Sequence, residues 1–139
     1  MPHKPKAYVL DSWSILCYFH DEPAAERVET IIAEAHERDI PMFMSVVNVA
    51  EVWYIIARRR SQSDADSGIH SLKQLGIRFI DVHWELAQQA ARFKQKNQMS
   101  FADCFAAALA KSKAATLVTG DTEFKQVERE IAIDWLKNK

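Results

Sequence analysis

Four acidic residues occupy positions where a folded chain could bring them together. Asp11 follows the apolar run Ala7-Tyr8-Val9-Leu10. Glu51 interrupts the apolar segment Asn48-Val-Ala-Glu51-Val-Trp. Asp103 lies at the head of the alanine-rich Ser100-Phe-Ala-Asp103-Cys-Phe-Ala-Ala-Ala, and Asp121 follows Thr116-Leu-Val-Thr-Gly120. Carboxylates crowded into one site raise each other's pKa and destabilise the fold unless something neutralises them. Oxygen ligands of this kind suit a hard divalent cation, so Mg2+ or Mn2+ is the expected partner. Such an ion lowers the pKa of a bound water and stabilises charge on a phosphate, which is the chemistry of phosphodiester hydrolysis. Each acid also has a plain structural use. Asp11 and Asp121 are suited to capping or turning, Asp103 completes the capping-box pattern Ser100-x-x-Asp103, and Glu51 could be a solvated helix carboxylate. Among so many apolar neighbours, however, a buried Glu51 would need a partner or a metal.

The elements that must position these acids can be read from periodicity. Residues 7–10 predict a buried strand and 12–19 a helix. A second helix starts near Pro23 and carries Ala24, Val28, Ile31, Ile32 and Ala35 on one stripe. Residues 42–46 predict a second strand, Asn48 to Arg60 a helix, 61–67 a polar segment, and Ile69, Leu72 and Leu75 a further helix ending near Gly76. A third strand is expected over 77–82, then helices through Leu86 to Phe93 and from Ser100 to Lys113. A fourth strand follows over 116–119, and 131–133 offers a short edge strand. Strands separated by helices require crossover connections. The expected fold is therefore α/β, a mostly parallel sheet of four to five strands with helices on both faces, over one domain spanning residues 1–139. In such a sheet ligands bind beyond the carboxyl ends of the strands, which is where Asp11 and Asp121 fall.

Composition removes several competing chemistries. Of 139 residues only three are glycine, at 68, 76 and 120, so no dinucleotide fingerprint, P-loop or hydrolase elbow can be spelled. Cys17 and Cys104 are far apart and form no C-x-x-C, and the histidines form no H-E-x-x-H; a zinc site is not expected. His20, His36, His70 and His83 are scattered and read as surface or capping residues. The start Met-Pro-His-Lys-Pro-Lys has no apolar signal core and no run is long enough to span a bilayer, so a cytoplasmic protein without membrane partners is expected.

The segments Val9-Leu10-Asp11-Ser12, Asn48-Val-Ala-Glu51, Ser100-Phe-Ala-Asp103-Cys-Phe-Ala-Ala-Ala and Leu117-Val-Thr-Gly-Asp121-Thr-Glu-Phe, in this order, resemble the PIN domain, and within it the VapC-type toxin ribonucleases of type II toxin-antitoxin systems. The resemblance spans essentially the whole chain. It implies a three-layer α/β/α sandwich, a metal-dependent endoribonuclease, a cognate antitoxin that blocks the site, and a toxin homodimer. It assigns Asp11, Glu51, Asp103 and Asp121 to catalysis, with Asp11, Asp103 and Asp121 as metal ligands and Glu51 acting through water or a second metal. Ser12 and Thr119 fall at its supporting hydroxyl positions. Two positions depart from the family: Trp13 is bulkier than usual, and Gly120 stands where a longer side chain is common.

An RNA substrate is a polyanion, and the formal net charge of −1 becomes +3 once the four candidate acids are set aside. Arg58, Arg59 and Arg60, ending the helix that carries Glu51, are the first candidates for phosphate contacts. Lys94, Lys96, Lys111 and Lys113 are further sources of positive charge, although basic residues at helix ends also complement the dipole. Trp13, Trp53 and Tyr54 read first as core or interface residues and second as surfaces for unpaired bases. The rival readings are a phosphoacceptor-type regulatory domain using Asp11, Asp81 and Thr119, and a non-catalytic protein-binding module. The first lacks a second acid beside Asp11 and an evident lysine after the last strand, and a phosphatase with a D-x-D nucleophile is disfavoured because Trp13 stands at the second Asp position.

Overall fold

The computed structural model describes residues 4–138. Five strands, β1 (Tyr8–Leu10), β2 (Met42–Ser45), β3 (Ile77–Ile80), β4 (Thr116–Thr119) and β5 (Ala132–Trp135), form one sheet in the order β3-β2-β1-β4-β5. Every pairing is parallel, with Tyr8 opposite both Met42 and Thr116 and Leu10 opposite Val118. Six α-helices connect them: α1 (Ser12–Phe19), α2 (Ala25–Glu37), α3 (Val46–Arg59), α4 (Gln62–Gln74), α5 (Trp84–Lys96) and α6 (Phe101–Lys113). A 3-10 helix at Thr122–Val127 precedes β5.

Alternation along β1 divides the interior into two cores. Tyr8 and Leu10 pack with Ile15, Val28, Ile31, Val52 and Leu72 from α1 to α4, whereas Val9 packs with Leu86, Ala90, Phe93 and Leu109 from α5 and α6. The result is the three-layer α/β/α sandwich. The central strand is buried on both faces, which explains why it reads as an unbroken apolar run. In α6 the three alanines Ala106, Ala107 and Ala108 are fully buried, and Asp103 is the helix's one buried charged residue.

Several boundaries differ from the periodicity reading. β2 ends at Ser45 and α3 begins at Val46, because the Ser45 hydroxyl accepts from the Val47 N–H and caps the helix at once. The polar stretch 61–67 is not a loop. It is the exposed first half of α4, capped by Ser61, whose hydroxyl accepts from Asp64 N–H. β3 stops at Ile80, and the turn after Asp121 winds into the 3-10 helix, anchored by the fully buried Phe124. Burying a phenylalanine contributes roughly 1.5–3 kcal/mol, enough to fix a short segment with few internal bonds. Both cysteines are buried and free. Among the described residues no helix is long and apolar enough to cross a membrane.

Candidate active site

The chain leaves β1 toward β2 and β3 on one side and returns to β4 and β5 on the other, so a crevice opens between the carboxyl ends of β1 and β4. Asp11 is the residue after β1 and the N-cap of α1. It is fully buried, and both carboxylate oxygens are engaged: Ser14 N–H donates to Oδ1 at 2.8 Å, and the Thr119 hydroxyl donates to Oδ2 at 2.5 Å. The capping and site-forming readings of Asp11 thus hold together. Burial raises its pKa to about 6, against the lowering effect of those hydrogen bonds. Thr119 also accepts from Asp121 N–H at 3.1 Å, which ties the end of β4 to the end of β1.

Asp103 reaches the same crevice from the first turn of α6, whose N-cap Ser100 accepts from the Asp103 N–H. Asp121 caps the 3-10 helix by accepting from Glu123 N–H at 2.9 Å, and this turn swings Glu123 back toward Asp103. Carboxylate oxygens of Asp103, Asp121 and Glu123 all lie within 4.8 Å of one another. Burial, the hydrogen bond to Glu123 and the charges of Asp121 and Asp11 push Asp103 up to about 9. Glu123 is lowered, by that bond and by Ser100 N–H donating to its Oε1 at 3.1 Å. Asp103 is thus raised and Glu123 lowered, so of the two it is Asp103 that keeps a proton to higher pH. Among the described residues none of the ion pairs involves these three acids.

Glu51 comes from α3 and is half-buried; the Ser12 hydroxyl donates to its Oε1, supplying the partner that its apolar surroundings demand. Asn48, one turn earlier and fully buried, donates from Nδ2 to Ser12 Oγ at 3.4 Å and to Ala102 O at 3.2 Å, joining α3 to α1 and α6. Its Oδ1 has no partner. Ser12, Glu51, Asp103, Asp121 and Glu123 line one open pocket of about 350 Å³ together with Trp13, Leu16, Ile55 and Ser100. The donor set contains carboxylates, hydroxyls and no histidine or cysteine, which fits a hard divalent cation and excludes a soft one.

The four acids singled out from the sequence thus converge from four segments, with two differences from expectation. The tightest carboxylate group is Asp103, Asp121 and Glu123, while Asp11 lies behind it with both oxygens occupied. Glu123 was missed because no element was assigned between Asp121 and Ile131; the available signal was an acid two residues after a cap and directly before an apolar anchor. The basic residues behave differently. None of Arg58, Arg59 and Arg60 lines the acidic pocket. Arg59 and Arg60 line a separate groove with Phe19, His20 and Asp64, and Arg58 stacks over Tyr54 at 5.1 Å. Lys94 donates to Met99 O and Lys111 pairs with Glu130. Asp81, part of the phosphoacceptor alternative, is exposed beyond β3 and does not line the pocket.

Comparison with known proteins gives the same architecture. The chain superposes on VapBC2 of Rickettsia felis bound to a promoter DNA fragment with a TM-score of 0.71 at 16% identity, covering 94% of this chain and 99% of that one. VapBC-1 of nontypeable Haemophilus influenzae gives 0.71 at 18% identity, covering 93% and 97%. Mycobacterium tuberculosis VapC20, described as a sarcin-ricin loop cleaving toxin, gives 0.67 at 15% identity, covering 86% and 94%. At these identities the likeness is one of fold. No curated protein sequence matches the chain at a significant level. Residues 8–130 match the family model of the PIN domain, and with the acids brought to the crevice between β1 and β4, this chain belongs to the PIN-domain family.

Proposed function

We propose that the chain is a metal-dependent endoribonuclease and the toxin of a toxin-antitoxin pair, acting in the cytoplasm as a homodimer that a cognate antitoxin inhibits. The observation that carries the hydrolytic reading is the group of carboxylates without an ion-pair partner among the described residues at the switch point of a parallel sheet, with Asp103 pushed up to about 9 by burial and by its acidic neighbours. The toxin, antitoxin and RNA parts draw support from family membership and from the toxin and toxin-antitoxin structures that share the fold.

In this reading Asp103, Asp121 and Glu123 would hold Mg2+ or Mn2+, with Asp11, the ligand expected from the sequence beside Asp103 and Asp121, adding negative charge or a further ligand oxygen. When bound, the cation supplies a water of lowered pKa and offsets charge on the scissile phosphate. Thr119 and the Ser14 N–H orient Asp11 and offset part of the burial that raises its pKa. Ser12 fixes Glu51, which would act through a water or a second metal and could accept a proton there. Arg58 lies two turns after Glu51 on the same helix face, roughly 10 Å along the axis, and is the arginine of the three best placed to meet RNA leaving the pocket.

The test is cleavage of single-stranded and structured RNA by the purified protein with Mg2+, Mn2+ or chelator, beside Asp121→Asn. Metal-dependent cleavage that falls by at least ~100-fold in the variant is expected. Absence of cleavage across a broad RNA set, with no heat of Mg2+ or Mn2+ binding in calorimetry, would sink the proposal.

A further inference from the structure

The acids account for only part of the pocket. Trp13, Leu16 and Ile55 give it an apolar lining, and the two family departures noted in the sequence turn out to be one feature. A Cβ at residue 120 would stand 2.2 Å from Trp13 Cη2, 2.5 Å from Cζ3 and 2.7 Å from Cζ2. Such similar distances to three successive ring atoms belong to an approach onto the face of the ring, since an approach to its edge would leave the flanking carbons much farther away. The indole therefore lies against the backbone between Thr119 and Asp121, and only a residue without a side chain permits this. Trp13 is half-buried and lines the pocket that holds Glu51, Asp103 and Asp121.

We propose that Trp13, seated on Gly120 and flanked by Leu16 and Ile55, forms a nucleobase subsite in which an unpaired base beside the scissile phosphate stacks on the indole. This rests on the nuclease reading and specifies its substrate as single-stranded at the cut. None of the three arginines lines the pocket, so beside the cut stacking would add binding energy that arginine contacts outside the pocket do not supply. Stacking supplies it, because every base has a π-face whatever its identity. In a duplex those faces are already covered by neighbouring bases, so a paired segment cannot use the subsite. Trp13, Leu16 and Ile55 line the same pocket as the acids, so the face of an aromatic base and its adjoining phosphate would meet neighbouring parts of one pocket.

The test compares wild type, Trp13→Phe and Trp13→Leu, each checked for unchanged thermal unfolding. Binding of a short single-stranded oligoribonucleotide in chelator is followed by tryptophan fluorescence and anisotropy, and cleavage is followed with metal. Abasic residues are then scanned along the oligonucleotide. The expected result is that Trp13→Leu weakens binding or raises KM by on the order of tenfold. Trp13→Phe should recover most of that loss while removing the quenched component, and one abasic position should reproduce the Trp13→Leu defect. Gly120→Ala, which displaces the indole, should behave like Trp13→Leu. Equal affinities for all proteins and all oligonucleotides would overturn the subsite and leave Trp13 as a contact for a protein partner. Cleavage that persists unchanged in Trp13→Leu removes the subsite and keeps the nuclease, whereas quenching by RNA without any cleavage removes the nuclease and keeps the subsite.

Discussion

Asp11 and the group of Asp103, Asp121 and Glu123 share one end of the sheet but are held by opposite means. Asp11 is fully buried and satisfied by the protein itself, with Ser14 N–H and the Thr119 hydroxyl on its two oxygens. The other three acids face one another, and burial together with this crowding raises the pKa of Asp103. A carboxylate wired to donors contributes to folding, because removing it strands the donors. A carboxylate crowded against others opposes folding until a proton or a cation arrives. The same residue type therefore stabilises the protein at one position and reserves binding energy for a ligand a few ångströms away.

The largest expected difference between the two is in stability. Asp11→Ala removes a helix cap and leaves two buried donors unpaired, a loss of ~2–4 kcal/mol readable from the urea midpoint. Asp121→Asn and Asp103→Asn should leave the midpoint in chelator unchanged or raised, although they abolish cleavage. If Asp11→Ala proved as stable as Asp121→Asn, the distinction between the two groups would collapse. Metal should sharpen it next. Mg2+ or Mn2+ at about a hundred times its dissociation constant stabilises the folded state by ~2.7 kcal/mol. That gain should vanish in Asp121→Asn and shrink in Glu123→Gln, as followed by thermal unfolding.

Acidity gives a third contrast. The folded-state pKa values of Asp11, about 6, and Asp103, about 9, lie above the ordinary value of 3.8, so the folded protein holds more protons than the unfolded chain between these limits. Their contribution is fully present below the ordinary carboxylate range and is lost as pH rises through about 6 and then about 9. Glu123 works in the opposite sense, its lowered pKa making it favour the fold above the carboxylate range. In chelator, stability should fall from pH 5 to pH 9, and excess Mg2+ should flatten the decline. A stability that rises over this interval in chelator would contradict the raised pKa values of Asp11 and Asp103. The smallest effect is expected for Thr119→Val, ~1 kcal/mol from the lost hydrogen bond to Asp11.

Legibility from the sequence followed the physics of each element. β1 was readable because a strand buried on both faces is apolar throughout, β4 because the β-branched and apolar Thr116-Leu-Val-Thr119 stops at Gly120-Asp121, and α6 because Ser100 and Asp103 mark its start. The exposed half of α4 was not, since solvated residues carry no apolar period and its only signal was the Ser61 cap. Asp11, Glu51, Asp103 and Asp121 were readable because each stands at an element end or breaks an apolar run. Glu123 and the buried Asn48 were not, because their roles depend on a turn direction and on a contact between α3 and α6. Trp13 and Gly120 stood out singly as departures, and nothing local to either position announced that one makes room for the other.

By itself the sequence determined the alternation of strands and helices, the parallel sheet it compels, and an excess of carboxylates at strand ends, because these depend on apolar period and connection length. The tertiary structure decided which oxygens meet, which acid is pushed up and which down, and that the arginines after Glu51 do not line the acidic pocket. Those outcomes depend on distances of a few ångströms between segments remote in sequence, and no local pattern encodes them until the sheet order has brought β1 beside β4.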